Sequence, residues 1–136
     1  MRYLVLFALA ACGAKPPVVS WVSTGTGLTE RITLASNGRG SYVSVSNGAV
    51  DKDERLELTG DQFGELKELF RSKHACELAH DPAYTPVPDE SSVTLELSFP
   101  DLRCKVTLWD IEWQHQAREI VETMRSMRPL RVKKGR

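Results

Sequence analysis

The hydrophobic and polar positions divide the chain into short alternating runs and two helical stripes. Ile32 and Leu34 alternate with Arg31 and Thr33, which predicts a half-buried strand. Asn37-Gly38-Arg39-Gly40 has the composition of a hairpin turn. Tyr42-Val43-Ser44-Val45-Ser46 predicts a second strand with Val43 and Val45 inward, and Asn47-Gly48 marks the next turn. Asp51-Lys52-Asp53-Glu54 reads as a charged loop, and Leu56 and Leu58 as a short third strand. The loop lacks the glycine and terminal glutamate that a calcium-binding loop places at fixed offsets.

Thr59-Gly60-Asp61-Gln62 has the spacing of a capping box. Phe63, Leu66, Leu69 and Phe70 follow at helical spacing, so a helix is predicted over about 60–72. His80 to Glu90 contains three prolines and predicts an irregular loop. Val93, Leu95, Leu97 and Phe99 alternate with polar residues, the clearest strand in the chain. Pro100-Asp101 turns it, and Cys104, Val106 and Leu108 return on the same face. Asp110 is placed to cap a second helix, with Ala117, Ile120, Val121, Met124 and Met127 on one side and Pro129 beyond its end. The order ββ(β)αββα predicts an α+β fold: a small antiparallel sheet with two helices on one face.

The amino terminus follows another pattern. Arg2 precedes an unbroken apolar run, Leu4 to Ala11, too short to cross a bilayer as a helix. A positive start, a short apolar run and small residues at its end have the form of a secretory signal peptide. Leu9-Ala10-Ala11-Cys12 resembles the lipobox of bacterial lipoproteins, the substrates of type II signal peptidase. That resemblance covers residues 2–13. It implies cleavage before Cys12, a lipid on its thiol, and an exported protein anchored to a bacterial membrane by acyl chains. In that family Gly13, where an aspartate would favour retention at the inner membrane, points to the outer one. Residues 1–11 are then a signal peptide, 12–20 a lipid-attached tether made extended by Pro16-Pro17, 21–129 a single α+β domain, and 130–136 a basic tail.

Composition adds bounds. The 136 residues carry 18 Lys and Arg against 18 Asp and Glu, and 41% are hydrophobic, enough for the core of one domain. Charge balance argues against a nucleic-acid partner. Loss of Arg2 with the signal peptide leaves the remainder singly negative. The lipobox assigns one of three cysteines, and in an oxidising compartment Cys76 and Cys104 read as a disulfide. The competing reading is a metal cluster of His74, Cys76 and His80, which no paired Cys-x-x-Cys spacing supports. Neither a metal nor another cofactor is expected.

No residue set has the spacing of a known catalytic motif. Ser23-Thr24-Gly25-Thr26-Gly27 lacks the Lys-Ser or Lys-Thr step of a phosphate-binding loop. Glu112 and His115 share a helix face without partner ligands. The expected function is therefore a binding or structural module of the cell envelope, with an envelope protein or peptide as the candidate partner. Tyr84 in the proline-rich loop and Trp109 and Trp113 at the strand-to-helix corner form the candidate surface. The body of the chain resembles small exported bacterial domains of unknown function. Its element order also looks like that of small proteinaceous inhibitors of secreted proteases, which keeps an inhibitor as the alternative. A small envelope enzyme is the remaining class.

Overall fold

A computed structural model describes residues 15–128. The expected signal peptide, Cys12 with the lipobox-like residues before it, Gly13 and the expected basic tail lie outside the described residues. Six strands form one antiparallel sheet: β1 (Pro17–Gly25), β2 (Leu28–Ala35), β3 (Arg39–Ser46), β4 (Ala49–Glu57), β5 (Ser92–Phe99) and β6 (Leu102–Trp109). Their spatial order is β4-β3-β2-β1-β5-β6. Helix α1 spans Gly60–Ser72, a 3-10 turn spans Ala75–Glu77, and α2 spans Asp110–Ser126. The fold is α+β with two helices, as the periodicity predicts, but the sheet holds more strands.

The added strand is β1. Residues 17–20, read from sequence as tether, are its first part. Proline is tolerated as a first strand residue, where its missing N–H breaks no essential ladder bond. Val19 and Trp21 then point inward, 0% and 4% exposed. Paired with β2 on one side and β5 on the other, β1 is the centre of the sheet. The Asp51–Glu54 loop is also corrected, because these residues belong to β4. That strand is an edge, and charged side chains on an edge discourage pairing with a second chain.

Strand β3 has the opposite parity from the predicted one. Tyr42 and Ser44 are buried, while Val43 and Val45 lie half-buried on the outer face. A slip of one residue exchanges the faces of a strand. Here the register places Tyr42 beside Ile32, which stands opposite Trp21, and Trp21 opposite Leu95. Tyr42 thus extends the apolar row, and its hydroxyl reaches Glu30.

Both helices cover this inner face. Leu66 and Phe70 of α1, and Trp113, Ile120, Val121 and Met124 of α2, close the core over Leu34, Val93, Leu97 and Leu108. Thr59 and Gln62 make the predicted reciprocal cap at the start of α1. Helix α2 breaks at Ala117, whose φ −152° and ψ 58° are not helical. A straight helix would separate residues 110 and 125 by about 22 Å. Instead, Arg125 Nη2 donates to Asp110 Oδ1 at 2.7 Å, because the second half folds back. Among the described residues, no helix is long and apolar enough to cross a membrane.

Antiparallel pairing gives the domain two distinct ends. One, here called the base, carries the start of β1 at Pro17, the β2–β3 turn at Ser36–Gly38 and the Pro100-Asp101 turn. The other, the rim, carries the Thr26-Gly27 and Asn47-Gly48 turns and the loop that enters β5. Asn47 and Gly48, with φ 50° and 84°, adopt the left-handed geometry that tight hairpins require.

The Cys76–Cys104 disulfide joins the 3-10 turn to β6 across a Cα separation of 5.5 Å. It closes a loop of 28 residues, for which chain entropy suggests about 3.5 kcal/mol. Reduction is expected to lower the free energy of unfolding by about that amount. Urea denaturation with and without reductant measures it, and coincident curves would contradict the prediction.

Candidate functional site

The proline-rich loop, residues 80–91, is braced at several points. Its geometry begins at Glu112, the third residue of α2, whose side chain is 3% exposed. A buried carboxylate is costly unless donors surround it. Three do. His80 Nδ1 lies 2.9 Å from Oε1. The Asp81 N–H donates to Oε2 at 2.8 Å, and the Trp109 N–H donates to Oε1 at 3.0 Å. An ionised carboxylate only accepts, so His80 Nδ1 carries the hydrogen. Burial alone would raise the pKa of Glu112. The His80 bond and the two backbone N–H groups outweigh it and hold the carboxyl below its ordinary range.

Glu90 is a second brace. Its Oε1 accepts from the Tyr84 hydroxyl at 2.6 Å and from the Val87 N–H at 3.0 Å. Its Oε2 accepts from the Ile111 N–H at 2.8 Å. Again burial opposes ionisation and the three donors prevail, so its pKa is lowered. Tyr84 moves the other way: partial removal from water and the bond to Glu90 push its hydroxyl up to about 12. The Asp110 N–H donates to Ser91 O at 2.9 Å. The first N–H groups of α2, a natural anion site, are thus engaged by the chain's own acceptors.

The candidate surface residues separate. Trp113 is fully buried, 0% exposed, and its indole N–H donates to Val93 O at 3.0 Å. Its ring packs on Trp21 with centroids 5.0 Å apart and planes tilted by 59°. It is a core residue and leaves the candidate surface, because the inward side of α2 falls on it. Trp109 and Tyr84 are half-buried. Trp109, rather than Asp110, occupies the cap position of α2, and Asp110 pairs with Arg125.

The three candidate metal ligands do not converge. Cys76 is in the disulfide, His74 pairs with Glu77, and His80 with Glu112. Among the described residues, no three His, Cys, Asp or Glu side chains form a metal-holding group. His115 is exposed on α2. A histidine oriented by a buried carboxylate is one part of a general-base arrangement. Among the described residues, no serine, threonine or cysteine side chain hydrogen-bonds to His80.

Two concavities flank α2. A groove of about 470 Å³ lies between β4 and the helices, lined by Leu56, Leu58, Leu66, Leu69 and Met127 among others. Glu57, Gln62, Glu65, Thr123 and Ser126 add polar groups to its lining. A polar recess of about 440 Å³ near the rim includes Glu30, Asp110, Arg125 and Arg128. Arg128 pairs with Glu30 and Arg125 with Asp110, and Asp89, also in the lining, accepts from the Thr26 hydroxyl.

The rim supplies what the sequence reading missed. Among the described residues, the exposed large hydrophobic side chains are Leu28, Val50 and Val87, at 41%, 65% and 50%. All belong to rim segments. Thr26 Oγ1 donates to Asp89 Oδ1 at 3.2 Å, tying the proline-rich loop to the β1–β2 turn. The Asn47 N–H donates to Gly27 O at 2.8 Å, tying that turn to the β3–β4 turn. Leu28 and Val50 carried no sequence signal, because a single apolar residue beside a turn is ordinary. They share an end of the sheet but not a face, since Leu28 has the parity of inward Ile32 and Leu34, whereas Val50 pairs with outward Val45.

Comparison with protein-family models, curated proteins and solved structures finds no match to this chain.

Glu112→Gln keeps the shape of the brace and removes its charge. It is expected to destabilise the fold at pH 7 by about 1.5–3 kcal/mol, the range for hydrogen bonds to a charged group. Since the folded pKa is lowered, the carboxylate contributes fully above the ordinary value of about 4.3. The contribution is lost as the pH falls through the lower folded value. The gap between wild type and variant should therefore shrink in acid, as measured by urea denaturation from pH 7 to pH 3. A gap that stays constant or widens would contradict the brace.

Proposed function

We propose that the protein is an exported, lipid-anchored binding module of a bacterial envelope, held at Cys12 and engaging an envelope protein or peptide through its rim. The observation that carries this reading is the rim itself. Val87 is fixed between Pro86 and Pro88, and its own N–H is bonded to Glu90. Leu28 and Val50 are set in strands that pair with the rest of the sheet. Apolar side chains on a rigid frame bind with little ordering cost, which favours recognition. Loops gathered at one end of a sheet are also where binding residues concentrate.

Localisation rests on the lipobox resemblance, and the Cys76–Cys104 bridge is compatible with it, since such bonds persist in oxidising compartments. Two or three acyl chains on one cysteine would give the stable anchoring that a single chain does not. The reading assigns no reaction to the protein.

Photo-cross-linking in intact cells tests it. A cross-linking residue at position 28, 50 or 87 is expected to yield one discrete adduct with an envelope protein. The same residue at Asn37 or Pro100 on the base should not, and Val87→Asp should abolish the adduct from position 28. Equal labelling from both ends would refute a rim-specific partner. Cys12→Ser should remove both the lipid label and the adduct, and a normally lipidated variant would refute the anchor.

A further inference from the structure

The groove between β4 and the helices has an apolar floor and opens where α2 ends. Leu56 lies on the inner face of β4, with the parity of Glu54, which stands opposite inward Tyr42. The helices leave this edge of the inner face partly uncovered. Leu56, Leu58, Leu69 and Met127 pack on the core yet are only half-buried. Among the described residues, the lining also holds two exposed carboxylates, Glu57 and Glu65, and no cationic side chain. Glu57 pairs with Arg39 at 3.3 Å. Glu65 has no salt bridge among the described residues.

The sequence that follows has the complementary pattern. Pro129 cannot extend α2, and beyond it come Leu130-Arg131-Val132-Lys133-Lys134, outside the described residues. Two aliphatic residues at i, i+2 share one side of an extended chain, and their neighbours are basic. Met127 already lines the groove, and Leu130 is three steps further on, a reach of about 10 Å. A segment tethered this close meets the groove at an effective concentration on the order of millimolar. Two other recesses also meet the end of α2, and they fit the segment poorly. One contains Arg125 and Arg128, the other Lys52 and Arg128, and each offers one aliphatic side chain, Leu28. Their cations oppose a basic segment, and one leucine gives Leu130 and Val132 little apolar surface to cover.

We propose that the groove is the docking site of the chain's own segment 129–134, with Leu130 and Val132 on Leu56, Leu66 and Leu69, and Arg131 and Lys133 reaching the carboxylates of Glu65 and Glu57 at its edge. Long basic side chains can turn back to the edge of a groove while the chain between them buries its apolar side. Docking covers the half-buried leucines and gives Glu65 a cation. It is independent of the lipid anchor and of any partner at the rim. The basic residues are then engaged by the protein itself and withheld from anionic lipid.

Methyl NOE spectroscopy of the full-length protein tests the docking. Cross-peaks are expected from the Leu130 and Val132 methyls to those of Leu56 and Leu69. Glu65→Lys, at an exposed position of α1, should weaken them severalfold. Glu68→Lys, exposed on the same helix but outside the groove lining, should leave them unchanged. No cross-peaks to Leu56 or Leu69, or cross-peaks to Leu28 in their place, would overturn the proposal. So would equal effects of the two substitutions. Cross-peaks that disappear on dilution would assign the groove to a second copy of the chain. Signals of Leu130 and Val132 that respond only to added phosphatidylglycerol vesicles would assign the segment to anionic lipid. Either result would also overturn it.

Discussion

A negative charge buried at the start of α2 is the constraint on which the loop side of the molecule depends. Glu112 is 3% exposed, and a bare carboxylate in that position would not be tolerated. The donors that satisfy it come from separate segments: His80 and Asp81 at the start of the proline-rich loop, and Trp109 at the end of β6. Meeting one charge therefore fixes where the loop leaves the 3-10 turn and where the strand becomes a helix. Glu90 repeats the device from the other side, joining Tyr84 and Val87 to the Ile111 N–H. A loop with three prolines gains few hydrogen bonds from its own backbone. Two carboxylates supply the acceptors that give it one shape.

Around that corner the division of labour is simple. The inner face of the sheet, closed by both helices, carries the core, with Trp21 and Trp113 in contact at its centre. The disulfide fixes the 3-10 turn against β6, below the loop it leads into. The base is linked by polar contacts, Lys67 and Arg71 with Asp101, and Arg39 with Glu57. The rim carries the exposed apolar residues.

How much of this was legible in the sequence depends on the range of the signal. Helix α1 was readable to its ends, because Thr59, Gln62 and the Phe63–Phe70 stripe are local. Strands β5 and β6 were readable from clean alternation, and the Cys76–Cys104 bridge from parity and the inward place of Cys104. Strand β1 was hidden by Pro16-Pro17 and by Val18 and Val22, apolar residues on the outer face that blur the alternation around inward Val19 and Trp21. Strand β4 was hidden by its charge, which edge position explains. Register in β3 was set by Tyr42 meeting its neighbours across the sheet, information that no window of β3 contains. Trp113 was misplaced for a related reason. Its burial depends on Trp21, distant in the chain. The rim, likewise, exists only once the strand order is known.

The central claim is that a buried, ionised Glu112 holds the loop in place, and carboxyl-carbon NMR of that side chain tests it most directly. Its titration midpoint should lie below the ordinary value of about 4.3, with the Asp81 and Trp109 amide resonances shifting at the same midpoint. A midpoint at or above that value, or amides that do not follow it, would contradict the account.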